Sequence, residues 1–488
     1  MMAVLSMLCL VLLSACGETA TSTSGGAVTT SAAGAATTSA AVATTSAGVA
    51  TTSAGVATTS AGVTTTGVAT TSAGVATTAA VGGGAGVPAV AVCPDTAKGQ
   101  TVTMMSPLTG PDGDTMTALV NRFNTENTQG IKVSHRPDPD YITKLGTMSA
   151  SNTLPDMTVI RGEDITTQAA RNILRPIPAS AMTLLNLTQA DFPAAVWAQG
   201  QYKNQRYTIP LDVHPIIMYY NKTMFQAAGI ASPPKTGDEL DKDALALNQN
   251  GVYGWSVTTG VFPTQFLFQT LLHQYGGSEF NADGSQATFN SEAGVKALTY
   301  LRQAQAKYAK NNLPQDAGVT AFKQNKSAIE MNGIWQTSSL VTGFPAGAAA
   351  PIPQWGDKNA VWASTHELAY TNQKNPDPKK EAAAACWISW LSANSADWSK
   401  AGNIPARNVV RTGAAFQANA ALAPVASEAD VAFFLPSVPG ISDGLGPMAD
   451  AVNAVTAGSQ SDVKKALDDA AAKANQALQQ DKQKYGGS

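Results

Sequence analysis

The sequence predicts an α/β protein of two lobes, and three observations carry that prediction. Strand and helix patterns alternate between residues 99 and 160, the signature of βαβ units in a doubly wound sheet. All 13 Phe, 8 Trp and 11 Tyr residues lie beyond position 94, as does every charged residue except Glu18. The stretch 95–488 that holds them is longer than one compact domain needs, so two lobes are expected. Such a chain is neither wholly disordered nor a small disulfide scaffold. Its 31 Lys+Arg against 34 Asp+Glu leave no broad basic surface, which argues against a nucleic-acid partner.

The chain begins with an apolar run, Ala3 to Leu13, too short to cross a bilayer and of the length of a signal-peptide core. Leu13-Ser14-Ala15-Cys16-Gly17 follows it and resembles a bacterial lipobox. Residues 1–15 are therefore expected to be a lipoprotein signal peptide, with Cys16 lipidated and anchored at the extracellular face of the bacterial cell membrane. The run departs from the pattern in having no Lys or Arg before it, which a mis-assigned start codon explains. From 16 to 94 the composition is almost entirely Thr, Ser, Ala, Gly and Val, and Ala-Thr-Thr-Ser-Ala-Gly-Val starts at Ala43, Ala50, Ala57 and Ala69. A segment with nothing large to bury cannot offset its conformational entropy, so a disordered tether is expected. With Cys9 removed and Cys16 lipidated, Cys93 and Cys386 remain, either as one disulfide or as two free thiols.

In the folded part, Gly99–Ser106 reads as a strand, Pro107–Asp114 as a loop, and Thr115–Asn124 as a helix with Met116, Leu119, Val120 and Phe123 on one stripe. A second strand starts at Ile131, Tyr141–Ser149 reads as a helix, and Asp156–Ile160 as a third strand. In a doubly wound sheet ligands sit beyond the carboxyl ends of strands, here Ser106–Asp114 and Arg161–Asp164.

Four later blocks are more specific. The first runs Tyr207-Thr-Ile-Pro-Leu-Asp212-Val-His214, Tyr219-Tyr-Asn-Lys222, Phe225-Gln-Ala-Ala-Gly229 and Pro233-Pro-Lys-Thr236-Gly-Asp-Glu239-Leu240. The others are Gly276-Gly277 with Phe289-Asn-Ser291, Phe322 to Trp335, and Gly402-Asn-Ile-Pro-Ala-Arg407. In this order they resemble the extracellular solute-binding proteins of ABC importers, the maltose-binding-protein-like family. Asn325, where that family usually has Gly, and Ile329, where it often has Met, are mild departures.

The resemblance implies a periplasmic-binding-protein type II fold, with discontinuous lobes joined by hinge crossovers near Leu211–His214, Pro351–Asp357 and Asn394–Lys400. Lobe one would span about 98–211 and 358–395, lobe two about 215–350 and 400–480. It further implies a monomer that captures a sugar, an oligosaccharide in the first instance, and delivers it to ABC permease subunits, meeting the ATPase only indirectly. Two other readings keep the fold: a stalked cell-surface carbohydrate adhesin or sensor, and an importer subunit for glycerol phosphates or other polyols. The adhesin or sensor is the reading from a different class, and a secreted hydrolase is a further one.

Catalytic and metal patterns are missing from the sequence. The four histidines have no i,i+4 partner, and there is neither a nucleophile elbow nor a phosphate-binding loop. No enzyme activity, cofactor or metal is expected. Binding asks for flat apolar faces and converging polar groups. Trp335, in the family's Gly-x-Trp block, is the leading stacking residue, with Trp255 and Trp362 open between cleft and core. Trp197, Trp387, Trp390 and Trp398 read as packing. The polar candidates are Glu163 and Asp164 after the third strand, Asp212 and His214 at a crossover, His366 in a second loop of lobe one with Glu367, and Arg161 and Arg407 as partners for an acidic ligand group.

Overall fold

The computed structural model of the chain describes residues 90–259, 262–309, 313–314 and 316–485. The signal peptide, Cys16 and nearly all of the tether lie outside the described residues. Thirteen strands are found among the described residues. They are β1 (Thr101–Ser106), β2 (Lys132–Pro137), β3 (Met157–Arg161), β4 (Gln201–Tyr202), β5 (Gln205–Arg206), β6 (Thr208–Pro210) and β7 (Asp212–Asn221), then β8 (Ile329–Gly333), β9 (Gly347–Ala350), β10 (Val361–Ser364), β11 (His366–Tyr370), β12 (Ile404–Pro405) and β13 (Ala432–Phe433). One sheet runs β2-β1-β3-β11-β6 and the other β12-β7-β10-β13, with β8 and β9 also paired to β7. The β1–β2 and β1–β3 pairs are parallel, whereas β11 runs antiparallel to both β3 and β6. Each sheet founds one lobe, the two-lobed arrangement that the resemblance implies.

Local chemistry sets the elements. The helix Gly110–Glu126 buries Met116, Leu119, Val120 and Phe123, the i, i+3, i+4, i+7 stripe of a core-facing helix. It starts within the segment expected to be loop, because Pro111 fits the first turn, where its missing N–H has no partner to lose. Thr236 and Glu239 close a capping box at the head of Gly237–Leu247, with the Thr236 hydroxyl accepting from the Glu239 N–H and the Glu239 carboxylate accepting from the Thr236 N–H. That reciprocal cap is what the Thr-x-x-Glu of the first sequence block encodes. Cys93 and Cys386 are disulfide-bonded with 5.7 Å between their Cα atoms, which ties the start of the folded part to the helix Pro378–Ala393.

The chain passes between the sheets three times. It leaves β6 at Pro210 and enters β7 at Asp212, and it leaves β10 at Ser364 and enters β11 at His366. The second passage therefore lies at Thr365, not at the expected 351–357: Val361 to Ser364 still pair with β7 and β13 of the second lobe. Ile352 is likewise held in that lobe, its N–H donating to Glu428. The third passage runs from Pro378–Ala393 to β12, which pairs with β7 at Val213 and Asp212.

Glu428 is buried and, among the described residues, accepts only that one N–H, 3.2 Å away, so burial pushes its carboxyl up to about 8. The folded state then holds a proton that the unfolded chain gives up near pH 4.5, and stability from this group falls as pH rises from there toward 8. Glu428→Gln keeps the acceptor without the charge. In urea unfolding it is expected to match wild type at pH 4 and exceed it at pH 9 by on the order of a few kcal/mol. An equal difference at both pH values would contradict this.

Candidate functional site

Between the two sheets lies a cavity of about 490 Å³, within the range of roughly 300–1,000 Å³ typical of small-molecule sites. Asp112, Arg161, Glu163 and Gln199 face it from the first lobe. Trp335, Trp362, Phe433 and Phe434 face it from the second, while His214 and His366 stand on the strands that begin just past two of the crossings. The lobes are bonded across it. The Ser364 hydroxyl donates to Glu163 at 2.5 Å, the Gln199 amide to the Leu435 carbonyl at 3.4 Å, and the Gly440 N–H to the Thr167 hydroxyl at 2.9 Å.

The aromatic wall is built in layers. Trp362 stacks on Phe266 with ring centroids 3.5 Å apart, and Trp335 lies 5.5 Å from Phe262 at a 31° tilt. Trp335 is half-buried and follows Gly333, where a Cβ would come within 1.9 Å of its ring. Gly at 333 is thus the reason the ring can fold back over its own strand, and it gives the Gly-x-Trp block a steric meaning.

At the back of the cleft sits the Asp212 carboxylate, which is fully buried. It accepts from His214 Nδ1 at 2.9 Å, His366 Nδ1 at 2.8 Å, the His366 backbone N–H at 3.0 Å and Trp398 Nε1 at 2.6 Å. A carboxylate can only accept, so both imidazoles carry a proton on Nδ1. Burial alone would raise the Asp212 carboxyl, but the neighbouring His366 and these hydrogen bonds hold it well below the usual carboxylate range. The two rings lie 4.4 Å apart, and their protonation separates. Burial and then His366 lower His214; burial also opposes a charge on His366, yet Asp212 and the more distant Asp112 raise it. Asp112, near the start of its helix, is raised by burial and accepts a hydrogen bond from Asn403 at 3.3 Å.

The sequence shows no metal-ligand spacing, yet the fold brings Asp212, His214 and His366 within 4.8 Å through ligand-type atoms. Those Nδ1 and carboxylate atoms are spent on one another as hydrogen bonds, so the trio reads as a bonded relay.

Of the ten expected contact residues, Arg161, Glu163, His214, Trp335, Trp362 and His366 line the cavity. Four do not. Trp255 is wholly buried, its ring near Tyr308 and Trp355, so it is a core residue. Asp164 turns to the Tyr141 hydroxyl at 2.8 Å, and Arg407 is buried with its guanidinium 4.0 Å from Asp191. Asp212 is set behind the two histidines. His366 and Glu367 belong to strand β11 rather than a loop, and Glu367 is buried against the Thr208 and Thr365 hydroxyls. Sequence reading missed Asp112, Phe262, Phe266, Phe433 and Phe434. Asp112 lies in the Ser106–Asp114 segment already marked by its place after a strand. The Phe433-Phe434-Leu435 run, closed by Pro436, was a signal of apolar surface outside any periodic element.

Two lobes, three crossings and a cleft walled by aromatic rings and converging polar groups define a two-lobed binding protein. Residues 118–424 match the bacterial extracellular solute-binding protein family, and the chain belongs to that family. The cyclic α-maltosyl-1,6-maltose binding protein of Arthrobacter globiformis is 25% identical with a TM-score of 0.66, covering 78% of this chain and 99% of that one. The maltodextrin-binding protein MdxE of Bacillus subtilis is 24% identical over 258 residues, 49% of this chain and 58% of that one. A shorter match, 30% over 132 residues, covers 26% of this chain and 30% of the protein named "Probable amino-acid ABC transporter periplasmic-binding protein y4oP" of Sinorhizobium fredii. The family and these relatives are binding proteins, not enzymes.

Proposed function

We propose that this chain is the lipid-anchored sugar-capturing component of an ABC importer, taking a short oligosaccharide into the cleft between its lobes and handing it to permease subunits. The observation that carries this reading is the composition of one cavity: Trp335 and Trp362 offer flat faces for the C–H side of a pyranose, while Asp112, Glu163, His214 and His366 offer hydrogen bonds to hydroxyls. The maltodextrin and cyclic-maltosaccharide ligands named for two of the relatives agree with it. The lipobox-like Cys16 and the Thr/Ser-rich segment after it would place the lobes outside the cell on a tether.

A thermal-shift screen tests the reading, run on the full chain with mono-, di- and trisaccharides, polyols, glycerol phosphates and amino acids. A sugar at a hundred times its Kd is expected to add about 2.7 kcal/mol. Stabilisation by amino acids or glycerol phosphates alone would move the ligand class, and no response to any sugar would contradict the proposal.

A further inference from the structure

The two imidazoles at the back of the cleft are chemically unequal, although both donate Nδ1–H to one carboxylate. The two rings share the Asp212 carboxylate, and a second imidazolium 4.4 Å from the first would meet like-charge repulsion. The surroundings decide which ring takes the proton. His366 faces Asp212 and Asp112, opposed by Arg161, and His214 faces Asp212 and Glu163, opposed by His366, with the edge of Trp335 6.2 Å away. Asp212 acts on both rings, but burial and the neighbouring His366 outweigh Glu163 at His214, whereas Asp212 with Asp112 outweighs burial at His366. The outer nitrogen of each ring, Nε2, has no partner among the described residues, and both rings line the cavity.

Resting on the sugar reading of the cleft, we propose that Asp212 is a positioning residue that holds His214 as a hydrogen-bond acceptor and His366 as a charged donor, so that the pair reads a ligand hydroxyl that both gives and takes a hydrogen bond. Such a hydroxyl donates to the bare Nε2 of His214 and accepts from the Nε2–H of His366. Capture then has two pH limbs. It weakens in acid as His214 gains a proton and loses its lone pair, and in alkali as His366 loses its charge.

Two measurements on the full chain test this. The first is ¹⁵N long-range correlation NMR on histidine-labelled protein, in which only His135, His214, His273 and His366 contribute. At pH 7 without ligand, both nitrogens of His366 are expected to be protonated and His214 to carry its proton on Nδ1 alone. Two neutral rings, or a proton on Nε2 of His214, would overturn the proposal. The second is thermal-shift affinity for glucose, maltose and maltotriose between pH 5 and 9. A bell-shaped profile losing roughly tenfold on each side is expected, the loss of one hydrogen bond to the ligand hydroxyl at each limb. In Asp212→Asn the amide donates to one ring, which forces that ring's remaining proton onto Nε2 and flattens the profile. His366→Gln, which keeps a neutral donor, removes only the alkaline limb and serves if the Asp212 variant does not fold. A flat profile in the wild type would overturn the proposal. No response to any of the three sugars at any pH, with the ring assignment intact, would instead count against the sugar reading and uphold the inequality of the pair.

Discussion

Trp335→Ala is expected to weaken sugar binding at least about thirtyfold in calorimetric titration, the ~2 kcal/mol or more that marks a binding hot spot. The ring meets the requirements of a stacking platform. It is half-exposed toward the cavity, supported by Phe262 at 5.5 Å and His214 at 6.2 Å, and faces a site whose polar groups come from both lobes. Removing it widens the cleft and lets water reach the apolar side of the ligand. The unliganded protein should lose little stability, because the ring is not sealed in the core. Gly333→Ala should reproduce part of the loss by a different route, since its methyl would occupy the space of the Trp335 ring and push it off its seat. Unchanged affinity in both variants would remove Trp335 from the site.

The largest effect on stability is expected at Asp212. Its replacement by alanine leaves two imidazole N–H groups, one indole N–H and one backbone N–H without their acceptor in a site closed to solvent. Breaking a buried ion pair by removing one partner costs about 3–5 kcal/mol, and a loss of that size is expected in urea unfolding at pH 7. The sign with pH follows from the two shifts. Asp212 is depressed when folded, so its contribution is present above the unfolded carboxyl value near 3.9 and fades only as pH falls through the lower folded value. His366 is raised, so its share is lost as pH rises through its folded value. The gap between wild type and Asp212→Ala should therefore be widest between about pH 4 and 6.5, where both contributions are full, and shrink toward both extremes. A variant within 1 kcal/mol of wild type at pH 7 would show that Asp212 does not tie the crossings together.

The sequence carried the fold well because its evidence was local and ordered. The Met116–Phe123 stripe, the Thr236–Glu239 cap and the Tyr219–Lys222 block each make sense within a few residues, and their order along the chain named the architecture. The second crossing was misplaced because strand membership at Val361–Ser364 is decided by pairing with β7, which lies far away in sequence. The site was legible by residue type more than by position. Trp255 and Trp335 look alike in sequence; only the packing of Tyr308 and Trp355 puts the first in the core. Asp212 drew attention as a hinge residue, but its work is to hold two histidines from strands 154 residues apart, a relation no local pattern carries. Phe433 and Phe434 escaped notice because they sit on a two-residue strand and its exit, with no period to mark them.

The central claim is that a sugar sits between the lobes, against Trp335 and in reach of His214 and His366. A crystal structure of the full chain with the best sugar from the thermal-shift screen tests it most directly. The account predicts one pyranose ring stacked on Trp335, with hydroxyls on the Nε2 edges of His214 and His366. Sugar density bound elsewhere, with this cleft left to solvent, would contradict it.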